Sequence, residues 1–246
     1  MRRRYGVALS ASVLRPLGEQ VVAELDLAAA SVACDLMCDG GVLTAALART
    51  IRPFGTVVAV DTDLELATDA AETLLGVSKV VPRMSDGSSV PLDDASCDVV
   101  ASLATLVFTD HRFLLGDVSR VLRRGGRAAL LVWDDEQPPV FVTTLRDALQ
   151  DEGITSRFLD RLLAPVSPPR SARVRGVRDV YRAETAAHAW AAMLDSPLAV
   201  DLAALPDATV DAARKRYTAL LEPFAEADGT LRIPIHARII TLTARE

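Results

Sequence analysis

The chain has 246 residues, half of them hydrophobic and about a quarter charged, as in ordinary soluble globular proteins. This composition excludes a disordered chain. The net charge of −6 argues against a nucleic-acid groove, which needs clustered positive charge, although a local basic patch is compatible with it.

Neither a membrane span nor a signal peptide is expected. No segment has the roughly 18 uninterrupted apolar residues that a transmembrane helix needs. The stretch after the N-terminal Met-Arg-Arg-Arg is interrupted by polar residues and Pro16 before any adequate apolar run. We therefore expect a cytoplasmic protein with neither nucleic acid nor membrane as a partner.

The first two-thirds of the chain alternates strand-like and helix-like runs. In chain order the runs are strand SVACDLM, helix GVLTAALARTI, strand TVVAVD, helix LELATDAAETLLG, strands KVVP and CDVVASLATLVF, helix HRFLLGDVSRVLRRGG and strand RAALLVWD. The last of these helices is expected to end in its arginine-rich turn and Gly-Gly pair, because the helix dipole favours cations there. Such an alternation predicts a mostly parallel sheet with helices on both faces.

The pattern changes after Asp135. A loop and helix (EQPPVFVTTLRDALQDEG) and a Pro-rich break (APVSPPRSA) precede RVRGVRDVYRA, which alternates charged and apolar residues as an edge strand would. Glu184 to Asp228 reads as helical, and TLRIPIHARIITLTAR returns to strand alternation. A helical block between two strands predicts a cap over the rim of the sheet, where open α/β sheets bind ligands.

Four ordered blocks carry a family resemblance: VACDLMCDGGVLTAALAR, GTVVAVDTDLELATDAAE, MSDGSSVPLDDASCDVVASLATLVF and DVSRVLRRGGRAALLVWD. Over roughly Val13 to Asp134 the chain resembles class I S-adenosylmethionine-dependent methyltransferases of the small-molecule, ubiquinone-biosynthesis type. The resemblance implies a Rossmann-like seven-stranded α/β fold, mostly parallel with an antiparallel last strand and a helical cap. It implies one domain over residues 1–246: a cofactor-binding core (13–135), a connecting helix and edge strand (136–183), the cap (184–228) and the final strand (229–246).

The resemblance also implies the cofactor site. Asp61 ends the buried strand TVVAVD and Thr62 follows it, a place where a carboxylate can accept hydrogen bonds from both ribose hydroxyls; alternatively, Asp61 caps the next helix. Asp86 and Gly87 match the position of the acid that accepts from the adenine amino group; alternatively, they form an ordinary Asp-Gly turn. The remaining candidate is Leu103, in the run CDVVASLATLVF.

The glycine-rich loop of the family is altered in this chain. The family's acid and three alternate glycines correspond to Asp35, Met37, Asp39 and Gly41, with Gly40 as an added glycine. A Cβ at such positions blocks a close ligand or demands a strained backbone. Asp39 is expected either to repel the cofactor's carboxylate or to pair with its ammonium or sulfonium.

No general base or metal site is evident in the sequence. His111, at the start of the helix after the fourth strand, is a weak candidate for a base, and an ordinary first-turn histidine is the alternative. The scattered histidines leave Cys34 and Cys38 without the second pair that a zinc site needs, so we expect these thiols and Cys97 to be free and buried or half-buried. Trp190, Met193 and Leu194 are candidates for substrate lining, with core packing as the alternative. Tyr5 and Arg15 are candidates for a lid, with a packed or disordered terminus as the alternative. His188 and His236 are expected to be structural or exposed residues.

The resemblance implies an S-adenosylmethionine-dependent methyltransferase acting on a small molecule. The altered loop keeps two alternatives open: a methyltransferase-like partner protein with impaired cofactor binding, and a repurposed, non-methylating enzyme of natural-product metabolism. A homodimer is also left open.

Overall fold

The computed structural model describes residues 10–76, 79–103, 111–194 and 202–244. Its strands are β1 (Val32–Leu36), β2 (Thr56–Asp61), β3 (Lys79–Met84), β4 (Cys97–Ser102), β5 (Leu122–Trp133), β6 (Arg173–Ala183) and β7 (Leu231–Thr243). Its α-helices are α1 (Arg15–Val22), α2 (Val42–Thr50), α3 (Leu64–Thr73), α4 (His111–Val121), α5 (Val140–Asp151), α6 (Arg157–Leu162), α7 (Ala186–Leu194) and α8 (Asp207–Leu221). A π-helical turn (Ser10–Leu14) precedes α1, and a 3-10 turn (Glu222–Phe224) follows α8.

The strands form one seven-stranded sheet in the order β3-β2-β1-β4-β5-β7-β6. The pairs β1–β2, β2–β3, β1–β4 and β4–β5 are parallel. The strand order reverses between β1 and β4, which is the place where open α/β sheets form a crevice for ligands.

The last strand runs against its neighbour β5. The N–H of Gly125 donates to the carbonyl of Ala244 (3.2 Å), and near the other end of β5 the N–H of Asp134 donates to the carbonyl of His236 (3.3 Å). Because the paired numbers change in opposite directions, the strands are antiparallel. The expected seven-stranded, mostly parallel sheet with an antiparallel last strand is thereby confirmed.

The buried strands have the composition that a parallel sheet requires. Each residue of Val57–Asp61 in β2 is buried, because helices cover both faces of the sheet. On one face Ala67 and Ala70 of α3 pack with Ala59 of β2, and these small side chains bring the helix close to the strand.

The boundary between α4 and β5 differs from the expectation. The helix ends at Val121, and Leu122 to Gly126, expected to end that helix, belong to β5 instead. Arg123 forms an ion pair with Asp98 of β4 (2.9 Å), and Gly126 accepts from the N–H of Ala244 (2.9 Å). These long-range partners outweigh the local preference of arginines and glycines for a helix end. The short helix α6 was also not expected from the sequence.

The described residues divide into two compact units. One unit takes its described residues from Leu14–Val132, Val166–Arg175 and Arg238–Glu246 and holds β1 to β4. The other takes them from Met1–Val13, Trp133–Pro165 and Gly176–Ala237. The division into a core, connecting elements and a cap stays a prediction.

The second unit contains the segment that was expected to form a cap. The helices α7 and α8 and the following 3-10 turn confirm its helical character, with residues 195–201 outside the described part. Its placement over the rim of the sheet stays a prediction. Across the described residues, no helix combines the length and apolar character needed to cross a bilayer.

An aromatic cluster lies within this unit. It consists of two groups of rings, in which the paired centroids lie 5.4–6.0 Å apart: Trp133, Phe141 and Tyr181 form one group, and Trp190 and Tyr217 form the other. Trp190 is only 4% exposed and Met193 only 5%, which agrees with core packing. A role of Trp190, Met193 or Leu194 in lining a substrate pocket stays a prediction.

Candidate functional site

The loop after β1 is attached to the end of β2. In the parallel register Leu36 lies beside Val60, so both strands end at the same edge of the sheet. The N–H of Cys38 donates to the carbonyl of Val60 (2.9 Å), and the N–H of Asp39 donates to Oδ2 of Asp61 (2.9 Å). Two successive residues of the loop are therefore held by the neighbouring strand.

The backbone of this loop is left-handed at three positions. Met37 has φ +62°, Asp39 has φ +46° and Gly41 has φ +83°. Glycine adopts this conformation at no steric cost, aspartate tolerates it, and methionine pays a larger penalty. The chain thus retains a backbone suited to glycine although two of the three residues carry a Cβ.

The Met37 side chain packs into the protein core. It is 9% exposed and belongs to the cluster of buried apolar residues that contains Leu36, Val60 and Val90. Burial of the thioether chain offsets the backbone strain at this position. This packing weakens the hypothesis that Met37 occupies the space of a ligand.

Asp35 is a fully buried acid within β1. Its Oδ2 accepts a hydrogen bond from the hydroxyl of Thr44 (2.6 Å), whereas Oδ1 is buried with no hydrogen-bond partner among the described residues. Desolvation, followed by the charges of Asp61 and Asp39, raises the pKa of Asp35 to about 7, against the opposing effect of Thr44. A buried acceptor without a donor is energetically costly, so this atom marks a place where a ligand donor would be favoured.

Asp61 ends β2 and holds two loops. Its Oδ2 accepts from Asp39 as described, and its Oδ1 accepts from the N–H of Asp63 (3.0 Å). Burial raises the pKa of Asp61, while these backbone hydrogen bonds lower it. The alternative that Asp61 caps α3 is wrong, because the capping side chain is Asp63, which accepts from the N–H of Glu65 (2.9 Å).

The turn after β3 approaches the end of β2. The N–H of Ser85 donates to the carbonyl of Asp61 (2.8 Å), and a Cβ at Gly87 would lie 3.4 Å from Cγ2 of Thr62, an exposed residue. Gly87 has φ +81°, which explains why glycine occupies this position. The candidates Thr62 and Gly87 are therefore neighbours.

Asp86 is exposed and orders its own turn. Its Oδ1 accepts hydrogen bonds from the backbone and hydroxyl of Ser88 (both 2.8 Å) and from the N–H of Ser89 (3.2 Å). These bonds lower the pKa of Asp86, the bond from the Ser88 backbone most strongly. The Asp-Gly turn is therefore present, and an additional contact of Asp86 with a nucleobase stays a prediction.

The two glycines of the altered loop have different surroundings. A Cβ at Gly41, the residue before α2, would lie 2.8 Å from Cβ of Ala70, so this glycine is required for packing. A Cβ at Gly40 would meet no heavy atom of the described residues within 4 Å. Gly40 therefore borders open space beside the loop.

Leu103 lies beyond the end of β4 and is half-buried. Its Cδ1 would be 3.5 Å from a Cβ at Gly18 of α1, and Cδ1 of Leu43 would be 3.7 Å from the same position. The N-terminal helix α1 thus approaches the edge of the sheet that carries the site. Arg15, the first residue of α1, is exposed, and Tyr5 lies outside the described residues.

The histidines do not identify a base. His111 begins α4 as expected, but its side chain lies outside the described part of the chain. His188 is exposed, with Nδ1 3.1 Å from Oε2 of Glu184, and His236 is a half-buried residue of β7.

The cysteines are free and buried, as expected. Desolvation is the main cause that raises the pKa of each of the three thiols, to about 11 for Cys97. Among the described residues, no three His, Cys, Asp or Glu side chains form a group that could hold a metal ion.

Two further residues support the site and were not expected from the sequence. Thr44 is the partner of Asp35, and the hydroxyl of Ser102, at the end of β4, donates to the carbonyl of Leu36 (2.6 Å). The sequence signals that could have identified them are the position of Thr44 in the first turn of α2 and that of Ser102 at the end of an apolar strand.

Part of the chain that carries this loop matches a known family of domains. Residues 34–130 match the family model described as a methyltransferase domain. The chain is 28% identical over 149 residues to an uncharacterized 37.1 kDa protein in transposon Tn4556 of Streptomyces fradiae, covering 56% of this chain and 43% of that protein. It is 26% identical over 124 residues to a demethylmenaquinone methyltransferase of Staphylococcus carnosus, covering 50% of this chain and 52% of that protein.

Among solved structures, the fold is similar to that of a putative methyltransferase from an antibiotic biosynthesis pathway of Anabaena variabilis. The TM-score is 0.60 at 18% identity, over 93% of this chain and 96% of the other. The chain spans about half the length of the curated relatives it matches. The resemblance to class I S-adenosylmethionine-dependent methyltransferases is thus confirmed, and residues 34–130 supply its sequence match.

Proposed function

We propose that this chain binds S-adenosylmethionine and transfers its methyl group to a small molecule. The observation that carries the proposal is the grouping of Asp35, Asp61 and the left-handed loop at the ends of two adjacent parallel strands. The match of residues 34–130 to a methyltransferase domain supports it.

The residues present fit this cofactor. Asp35 offers a buried carboxylate oxygen without a donor among the described residues, which suits an ammonium group. Asp61 would hold the ribose hydroxyls with its remaining acceptor capacity, and Gly40 leaves open space beside the loop. Thr62, Gly87 and Leu103 would surround the nucleoside, with Asp86 accepting from its adenine amino group.

When bound, the cofactor supplies a methyl group on a positively charged sulfur. The contribution of this chain is to bind and orient the cofactor and to exclude water from it. Aligning a nucleophile with a methyl group is mainly a matter of positioning, so the lack of an evident general base is compatible with the proposal. A small-molecule substrate is supported by the demethylmenaquinone methyltransferase named above.

A second candidate is a methyltransferase-like protein that does not use the cofactor. The strained backbone at Met37 and the additional carboxylate at Asp39 favour this candidate. Glycine at both positions would avoid the strain and the charge beside a bound cofactor.

Calorimetric titration decides between the two candidates. The protein is titrated with S-adenosylmethionine and S-adenosylhomocysteine, with adenosine and methionine as control ligands. We expect micromolar dissociation constants for at least S-adenosylmethionine and much weaker binding of the two fragments. No heat and no thermal stabilisation at millimolar S-adenosylmethionine, in a folded protein, would contradict the proposal and favour the second candidate.

A further inference from the structure

Three carboxylates lie in the altered loop or at the strands beside it. Asp35 is fully buried in β1, Asp61 is 4% exposed at the end of β2, and Asp39 lies between them in the chain and is half-buried. The hydrogen bond from the N–H of Asp39 to Oδ2 of Asp61 (2.9 Å) holds the loop against the end of β2. We call Asp35, Asp39 and Asp61 the anionic cluster.

The members of the anionic cluster act on one another. The charges of Asp61 and Asp39 both raise the pKa of Asp35, after the larger effect of its burial. All three carboxylates also raise the pKa of the Cys38 thiol in the same loop, again after burial. Like charges that act on one another in a partly buried loop favour the binding of a cation.

A separate observation indicates that the anionic cluster is built for a ligand. Oδ1 of Asp35 is buried without a hydrogen-bond partner among the described residues, and Oδ2 is bonded to a neutral group, the hydroxyl of Thr44. The charged groups that shift the pKa of Asp35 are both acids. Its negative charge therefore lacks a compensating donor at Oδ1.

The candidate ligands differ in charge at one atom. S-adenosylmethionine carries a positive charge on its sulfur, and S-adenosylhomocysteine, which has lost the methyl group, carries none there. Otherwise the two molecules present the same adenosine, ammonium and carboxylate groups. An anionic cluster can therefore distinguish them by charge.

We propose that Asp39 makes this site select the cationic ligand, so that the anionic cluster binds S-adenosylmethionine in preference to S-adenosylhomocysteine. The inference rests on the proposed function and names a specificity-determining residue within it. An additional carboxylate at this position favours binding before methyl transfer and release of the product after it. It also gives Asp39 a function that glycine could not supply.

The experiment measures the dissociation constants of both ligands at pH 7.5 and 50 mM salt. The proteins are the wild type, Asp39→Asn, Asp39→Gly and the control Glu72→Gln. Asparagine keeps the size of the side chain and tolerates positive φ, whereas glycine removes the side chain and adopts positive φ freely. Glu72→Gln removes one charge from an exposed residue of α3 and tests the effect of net charge alone.

We expect the wild type to bind S-adenosylmethionine about tenfold more tightly than S-adenosylhomocysteine. Both Asp39 variants should lose most of this preference, mainly through weaker binding of S-adenosylmethionine, and Glu72→Gln should retain it. At 500 mM salt the preference of the wild type should shrink, because salt screens partly exposed charges.

The inference is overturned if the wild type binds the two ligands equally or prefers S-adenosylhomocysteine. It is also overturned if Asp39→Asn and Asp39→Gly keep the wild-type ratio, an outcome that leaves the proposed function intact. Absence of binding of either ligand to the wild type overturns the proposed function and the inference together.

Discussion

Oδ2 of Asp61 accepts a hydrogen bond of 2.9 Å from the backbone N–H of Asp39, which joins the end of β2 to the loop after β1. One carboxylate thus maintains the shape of the loop, and the proposed function assigns the same carboxylate to the ribose. Variants at Asp61 are expected to affect both stability and ligand binding.

Replacing Asp61 with alanine should weaken S-adenosylmethionine binding by about 1–3 kcal/mol, the scale for losing charged hydrogen bonds. The same change leaves two backbone N–H groups without their acceptor and should lower the free energy of unfolding. Titration calorimetry and urea unfolding measure the two effects. The control is Asp63→Ala, which removes the cap of α3, costs about 1 kcal/mol of stability and should leave affinity unchanged. Equal affinities for wild type and Asp61→Ala would remove Asp61 from the site.

Met37 should show an unusual order of stability among its variants. Met37→Ala loses the buried side chain but keeps the strain of φ +62°, so we expect a loss of about 2–4 kcal/mol. Met37→Gly loses the same packing but relieves the strain, and should be about 1 kcal/mol more stable than the alanine variant. The controls are Leu47→Ala and Leu47→Gly, at a buried position of the helix α2. Here the alanine variant should be the more stable of the two. Urea unfolding of the four variants tests this, and an alanine variant of Met37 more stable than the glycine variant would contradict it.

The adjacent glycines Gly40 and Gly41 should separate binding from folding. Gly41→Ala forces a Cβ to within 2.8 Å of Ala70 at φ +83° and should cost about 2 kcal/mol of stability or more. Gly40→Ala places its methyl group in open space, so its melting temperature should stay close to that of the wild type. If this space belongs to the cofactor, Gly40→Ala should nevertheless bind S-adenosylmethionine at least about fivefold more weakly. Wild-type affinity of Gly40→Ala would place the cofactor away from this residue.

Asp35 should make the protein less stable as the pH rises toward neutrality. Its folded-state pKa of about 7 lies above its ordinary value, so the folded protein retains a proton that the unfolded chain releases near pH 4. The stability that the protonated Asp35 contributes is fully present below about pH 4, and it is lost as the pH rises through about 7. Burial of Asp61 acts in the same direction.

Comparing the wild type with Asp35→Asn between pH 4 and pH 8 isolates this effect. Asparagine cannot ionise, so the stability of the variant relative to the wild type should improve by on the order of 2–4 kcal/mol over this range. Urea unfolding at several pH values measures the difference. A constant difference would mean that Asp35 titrates alike in the folded and unfolded states.

The sequence predicted the elements whose patterns are local. TVVAVD is apolar over its whole length, so β2 and the position of Asp61 at its end followed directly. The start of β5 did not follow, because Arg123 pairs with Asp98 and Gly126 pairs with Ala244, residues distant in the chain. The sequence left open whether Asp61 caps α3, because Asp61 and Asp63 both precede that helix, and only the backbone geometry identifies Asp63 as the cap.

At the site, residue types indicated where a ligand would be held, but not how the altered loop folds. The sequence left open whether Met37 occupies ligand space or strains the backbone. In the structure the backbone of Met37 is strained, and its side chain packs in the core beside Leu36 and Val60. A side chain's choice between two sides of a loop depends on packing against other elements, which local spacing does not encode.

The aromatic cluster has a consequence for spectroscopy. The two tryptophans of the chain, Trp133 and Trp190, both belong to the second compact unit, and the unit that holds the loop after β1 has none. Intrinsic tryptophan fluorescence therefore reports on the environment of only one unit, whereas far-ultraviolet circular dichroism samples both. If the two signals change at the same urea concentration, the units unfold cooperatively. If fluorescence changes separately, the emission of Trp133 and Trp190 would follow one unit while the other melts independently.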